Sequence, residues 1–420
     1  MQSPGTVSEP FPLGEREFVF LMAMMQAINA LAFDAMLPAL GEIANDLGVV
    51  EANRRQLVLG VYLISGGIGS LFPGVLADRF GRRPVLMFSL SAYFLLAVAC
   101  ALATNFEVLI GLRAIQGLCG SGLYVIPLAV IRDRFSGDRM ARAQSLVAMV
   151  FVLVPMLAPT LGQLVLLVAD WRWVFLIMAI LSGATLGWMW LRLPETLSPE
   201  YRQEVRPRVI AANMISAIFN RATAGYVFGS ALIQGSMFGF LNVSQQLLAI
   251  GYGLGRLFPF AFGGLVAVMI AANFTNSRIV ERFGTRRVSH FALTAYIIVA
   301  FVMFAFTVNG LLVLGLFAAT MAAMIFLTGL TNTNFQATAL TPFAHIAGAA
   351  ASIQASVRMV TAASLGVLIG QAFDGTALSL TVGMLLGGTG ALLLILYAER
   401  GRLFQRKVAP DEAMHGIGKE

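Results

Sequence analysis

Apolar residues come in long, nearly uncharged runs separated by short polar connections. A helix needs about 20 apolar residues to cross the hydrocarbon core of a bilayer. Runs of that kind fall near 18–39, 56–77, 84–103, 108–131, 143–167 and 171–193. A polar stretch over 194–221 follows, and six more runs fall near 224–249, 257–279, 288–307, 310–333, 346–372 and 376–398. The pattern predicts an all-α membrane protein with twelve transmembrane helices in two six-helix halves. It divides the chain into a terminal segment 1–17, a first half 18–193, a central loop 194–221, a second half 222–398 and a tail 399–420.

The halves are related by an internal repeat. Asp78-Arg79-Phe80-Gly81-Arg82-Arg83 follows the second run, and Glu281-Arg282-Phe283-Gly284-Thr285-Arg286-Arg287 follows the eighth, 203 residues later. The same shift carries most of the first six runs onto the last six. Two pseudo-symmetric halves with a site between them at the midplane are the organisation of a secondary transporter.

Composition narrows the picture further. Of 420 residues, 58% are hydrophobic and 12% charged, against roughly 45–50% and 25% in soluble proteins, which excludes a disordered chain and an ordinary soluble enzyme. The net charge of +7 sits in the short connections, where membrane anchoring explains it and nucleic acid need not be invoked. With the N-terminus placed inside, 22 of the 28 basic residues fall on inside segments. Only Arg54, Arg55, Arg172 and Arg256 fall outside, and Arg113 and Arg358 lie within runs. This bias makes both termini cytoplasmic. The N-terminus lacks the signal-peptide order of basic region, short apolar core and cleavage site. The only lysines are Lys407 and Lys419, and neither follows the glycine loop that a nucleotide-binding P-loop requires, so an ATP-driven pump is excluded. Cys100 and Cys119 lie in apolar runs and read as small buried hydrophobes. His290, His345 and His415 are scattered. No metal site, nucleophile–base pair or cofactor is expected, so an enzyme is not.

The residues of the second connection resemble the major facilitator superfamily. Gly74-Val75-Leu76-Ala77-Asp78-Arg79-Phe80-Gly81-Arg82-Arg83 matches that family's loop motif between helices 2 and 3 without a gap. The resemblance implies that Gly74, Asp78, Arg79, Gly81, Arg82 and Arg83 form the conformational latch that holds the halves in the outward-facing state. Arg113-Ala114-Ile115-Gln116-Gly117 in run 4, Arg132-Asp133 after it and Leu193-Pro194-Glu195-Thr196-Leu197 after run 6 resemble the drug:proton antiporter branch, and within it the bicyclomycin and chloramphenicol exporters. The antiporter motif of helix 5 is represented by Pro155, Pro159 and Gly162, with Gln163 where a second glycine is usual. The resemblance covers nearly the whole chain and implies a bacterial inner-membrane transporter able to work as a monomer.

A charge at the bilayer centre costs about 2.5–3.5 kcal/mol on insertion scales and persists where it is paired or functional. Asp34 is the single carboxylate well inside any run. It lies about five residues, roughly 8 Å, from the outer end of run 1, and Arg113 lies at similar depth in run 4. Asp34 is therefore the candidate proton-coupling group. Burial and a nearby Arg113 would act on its protonation in opposite senses. The competing reading is a permanent Asp34–Arg113 ion pair. At 100° per residue Gln26, Asn29, Phe33 and Asp34 fall within an arc of about 140°, and Arg113, Gln116 and Tyr124 share one side of run 4. With Gln234, Phe238 and Asn242 of run 7, Asn332 at the end of run 10 and Arg358 of run 11, they are the candidate substrate cavity. Arg358 has no acid within the runs of its own half. An anionic or polar substrate, a backbone carbonyl or the loop after run 2 could answer it. Two in-span cations against one anion point toward neutral, zwitterionic or anionic cargo rather than a lipophilic dication.

The expected activity is proton-coupled export of a small drug-like molecule by alternating access, with protons, a small molecule and the lipid bilayer as partners. Two alternatives stand beside it. One is a proton- or sodium-coupled transporter of a specific metabolite, and the other is a non-transporting receptor or scaffold.

Overall fold

Helices follow one another in the order that the apolar runs predict. The structure is a computed structural model, and it describes residues 12–198, 216, 218 and 220–404 apart from 52 and 136. Most of the expected terminal segment, central loop and tail therefore lies outside the described residues. Among the described residues ten helices are long and apolar enough to cross a membrane: Glu15–Asp46, Arg82–Ala101, Phe106–Arg134, Arg172–Arg192, Arg221–Gly251, Gly255–Phe283, Thr285–Val308, Leu314–Phe343, Ala350–Gln371 and Leu378–Ala398. These are spans 1, 3, 4 and 6 to 12. Span 2 is a bent pair, Arg54–Gly69 with Pro73–Phe80, turned by 44°. Span 5 is Gly137–Leu166, 30 residues long, of which Leu153–Leu166 is the apolar part. At 1.5 Å per residue it measures about 45 Å. Among the described residues there is no β-strand.

The ends of the spans sort onto two faces. Glu17 at the start of span 1 pairs with Arg192 at the end of span 6 at 2.9 Å. The Arg221 Nε at the start of span 7 donates to the Tyr397 carbonyl at the end of span 12, at 2.8 Å. This is the terminal face. On the opposite face Arg172 pairs with Asp46 at 2.6 Å, and Arg54 pairs with Glu107. Each half begins and ends on the terminal face, as two six-helix units require.

Two prolines interrupt what hydropathy reads as continuous. The first helix of span 1 ends at Asp34, a short 3-10 turn covers Leu37–Ala39, and the helix resumes over Leu40–Asp46. Proline has no N–H, and its ring crowds the carbonyl four residues back. Pro38 therefore breaks the helix at Asp34. Pro73 does the same to span 2 after Gly69. The expected run 18–39 thus continues to Asp46, but it is broken in the middle.

The halves meet mainly through spans 2 and 11 and spans 5 and 8. Toward the opposite face an amide network seals the seam. Gln56 Nε2 donates to Gln246 Oε1 at 2.6 Å. Asn53 Nδ2 donates to the Phe373 carbonyl at 2.6 Å, and Gln371 Nε2 to the Asn53 carbonyl at 2.8 Å. Phe33 and Phe238 face each other with centroids 6.4 Å apart. Nearer the middle, Ser356 donates to the Gly67 carbonyl at 2.6 Å.

Candidate functional site

Asp34 lies at the break in span 1, and only 5% of its surface is exposed. Among the described residues no donor or cation comes within hydrogen-bond or ion-pair distance of its carboxylate. The Pro38 ring fixes its position from within the chain. From outside, Gly162 of span 5 packs so tightly that a Cβ there would stand 2.2 Å from the Ala35 carbonyl oxygen. Close backbone approach is what glycine permits, so the helix 5 motif residue seats the break directly. Pro159 is buried one turn before it.

Arg113 is fully enclosed, with 0% of its surface exposed, and its guanidinium is used up by other groups. Nη2 donates to the Ala32 carbonyl at 2.9 Å, Nε to the Val58 carbonyl at 3.1 Å, and Nη1 to Gln116 Oε1 at 2.8 Å. The guanidinium carbon lies 4.2 Å from the Tyr62 ring centroid. The Ala32 carbonyl belongs to the last turn of the broken helix, where carbonyls lack intrahelical partners and a cation is favoured. Arg113 therefore binds the end of the broken helix two residues from Asp34, and it does not ion-pair with Asp34. Gln116 is likewise at 0% exposure and faces Arg113 rather than open space.

The other N-half candidates surround this centre. Tyr62 donates its hydroxyl hydrogen to Asn29 Oδ1, and Gln26 Nε2 reaches the Tyr124 carbonyl at 3.5 Å. Tyr124 lies on the same side of span 4 as Gln116, yet it is 40% exposed. In the C-half, Asn332 Nδ2 donates to Gln234 Oε1 at 2.6 Å. The buried Asn242 has neither amide atom partnered among the described residues. Arg358 is half-buried and makes no hydrogen bond or ion pair among the described residues.

Three motifs far apart in sequence converge at the terminal face. Glu195 accepts from the Arg82 N–H at 2.9 Å and the Arg83 N–H at 3.2 Å. A carboxylate there caps the first turn of span 3 and meets the positive end of its dipole. The Arg82 side chain holds Asp78 at 2.5 Å and Asp133 at 3.0 Å, and Thr196 donates to the same Asp133 at 3.2 Å. The loop motif, the Arg132-Asp133 pair and the Leu193–Leu197 signature are thus one cluster. Among the described residues the hydrogen bonds and ion pairs of this loop stay within its own half. Arg83 Nη2 donates to the Trp190 carbonyl at 2.7 Å, and Arg79 lies over Phe80. The second half repeats the device 204 residues on, where Glu399 pairs with Arg286 at 3.1 Å and accepts from the Tyr226 hydroxyl at 2.8 Å.

Gly81 has φ +102°, and a Cβ there would lie 2.3 Å from Glu195 Oε2. Gly81→Ala combines left-handed strain with loss of the cap, so it should lose about 2 kcal/mol of stability. A thermal melt in detergent within 1 °C of wild type would refute the clamp.

Sequence reasoning missed the seam amides Asn53, Gln56, Gln246 and Gln371. A crevice of about 660 Å³ on the opposite face, lined by Asn53, Arg54, Arg55, Gln246, Gln371, Phe373 and Asp374 among others, contains three of them and no predicted site residue. Their signal, amides clustered at the same ends of spans 2, 7 and 11, is visible only once the spans are oriented.

The family model described as Major Facilitator Superfamily matches residues 22–370. A bicyclomycin resistance protein homolog of Haemophilus influenzae is 26% identical over 355 residues, covering 84% of this chain and 88% of that protein. The multidrug resistance protein MdtL of Escherichia coli O81 is 28% identical over 384 residues, covering 91% of this chain and 94% of that protein. A solved bacterial homolog of the human lysosomal transporter Spinster, in an inward-facing and occupied conformation, matches with a TM-score of 0.72 at 16% identity, covering 96% of this chain and 100% of that one. At that identity the likeness is one of fold alone.

Proposed function

The chain belongs to the major facilitator superfamily, and from that premise we propose a drug:proton antiporter that exports a small molecule through the space between its halves. It is a membrane transporter and not an enzyme. The relatives named for bicyclomycin and multidrug resistance support the cargo class. The observation that carries the coupling is Asp34, a buried carboxylate at the break in span 1 with no partner among the described residues.

Alternating access then has named parts. Asp34 takes its proton on one side of the membrane and gives it up on the other as the break is exposed in turn. Arg113 holds the broken helix end, so rearrangement at Asp34 reaches spans 2 and 4. The amide seam around Gln56 and Gln246 is the closed gate on the opposite face. The Asp78–Arg82–Asp133–Glu195 cluster is the released latch, kept in shape by its own half. The terminal face is the cytoplasmic one, from the 22-to-4 bias of basic residues. The membrane is the bacterial inner membrane, and one chain suffices.

The test is proton movement in proteoliposomes on adding bicyclomycin and then chloramphenicol. The expected result is cargo-evoked proton release from the purified protein, abolished by a protonophore. Cargo uptake with no proton signal, or with a signal that follows sodium, would replace antiport with another coupling.

A further inference from the structure

Arg358 and Arg113 are the two cations well inside the apolar runs, and their surroundings are opposite. Arg113 satisfies its guanidinium with two carbonyls, an amide and a ring. Arg358 lies eleven residues into span 11, counted from Ala347, or about 17 Å along its axis, and has no such partners among the described residues. Its helix is pinned on the other side, where Ser356 bonds the Gly67 carbonyl and Val360 packs on Gly67. At 100° per residue Arg358 points about 160° away from both. It shares its side with Gln354, which bonds the Ala339 carbonyl of span 10 at 3.2 Å. Tyr124 of span 4, in the other half, lies in its neighbourhood. No Asp or Glu lies within the spans of its half away from their ends.

We propose that Arg358 is the cargo anchor, receiving an anionic or strongly electron-rich acceptor group beside Tyr124, and that the cargo is a zwitterion or a neutral polar molecule rather than a lipophilic cation. This rests on the transport reading above. An unpaired guanidinium at this depth is expensive, and a bidentate acceptor on the cargo supplies the pairing that the fold withholds. The donor or cationic end of such a molecule is left for Asp34, where it replaces the proton, and the proton leaves to water on the open face. A purely anionic cargo would instead favour the protonated carboxyl and bind together with the proton.

The test is a matched pair, ciprofloxacin, which is zwitterionic at pH 7, and its methyl ester, which keeps the amine and loses the carboxylate. Binding is read by calorimetry on wild type, Arg358→Gln and Arg358→Lys. Wild type should prefer the acid by about tenfold or more, as for a charge-assisted pair. Arg358→Gln should drop the preference below about twofold, and Arg358→Lys should keep part of it. Monodisperse elution and an unchanged melt separate this from misfolding, and the lysine variant carries the test if the glutamine variant does not fold. Equal affinity for acid and ester in wild type, absence of binding included, overturns the assignment, as does a preference that survives Arg358→Gln. The transport reading is scored separately by cargo-evoked proton release. A protein that discriminates but releases no protons keeps the anchor and loses the antiport, and one that releases protons without discriminating does the reverse.

Discussion

Asp34→Asn should reduce cargo-evoked proton release in proteoliposomes to the level of empty liposomes. The amide is nearly isosteric and cannot titrate, so the cycle loses its proton carrier while the break at Pro38 keeps its shape. Cargo affinity should fall to the level that wild type shows at low pH, because the amide stands for the protonated carboxyl. The pH dependence should vanish. In wild type, proton and cargo compete, so affinity falls as pH falls, and linkage requires the cargo to weaken proton binding by the same factor. In Asp34→Asn, affinity should stay flat with pH. Stability supplies an independent check. The carboxylate has no partner to lose, so the melting temperature should hold or rise, since a buried group that never ionises avoids a desolvation penalty. A permanent ion pair predicts the contrary, because removing one partner strands the other. Coupled transport that survives the exchange would move the search to another titratable group.

Much of this is legible in the sequence, and what is not has definite causes. Hydropathy sums over a window report whether a segment can sit in hydrocarbon, and that sufficed for the twelve runs and the 203-residue repeat. The sums do not register one missing N–H. The break at Asp34 was written in Pro38, four residues later, and the rule that proline frees the carbonyl at i−4 would have found it. The partners of Arg113 were harder. A charge in an apolar run suggests a countercharge, yet the fold answers it with the carbonyls of Ala32 and Val58, and backbone acceptors carry no sequence signature. Asp133 and Glu195 belong to separate motifs in the sequence. Their common use by Arg82 depends on spans 3, 4 and 6 ending together on one face, which is a property of packing. The seam between Gln56 and Gln246 joins residues 190 apart, and pairing of that range is fixed only by how the halves dock.

Arg113→Ala should be the most destabilising single change in the N-half. It removes the donor from the Ala32 and Val58 carbonyls and from Gln116 Oε1, whose own Nε2 is already without a partner. It also empties the space under the Tyr62 ring. An ordinary interhelical hydrogen bond in a bilayer contributes about 0.6 kcal/mol, while bonds from a charged donor are worth about 1.5–3 kcal/mol in general. Three such bonds together with a cavity put the loss at roughly 3 kcal/mol. The measurements are a thermal melt in detergent and proton-coupled uptake, and both should collapse. Arg113→Lys should recover little, because a point ammonium cannot reproduce the planar fork that reaches three acceptors in different directions. The decisive variant is the double exchange with Asp34→Asn. If Arg113 acts on the broken helix end and not on the carboxylate, the two changes are independent, and the double variant should melt within about 0.5 kcal/mol of the sum of the singles. Recovery of stability in the double variant would mean that the two charges are a pair after all. Arg113 would then be the counter-ion of Asp34, and the proton would be held by their separation rather than by burial at the break.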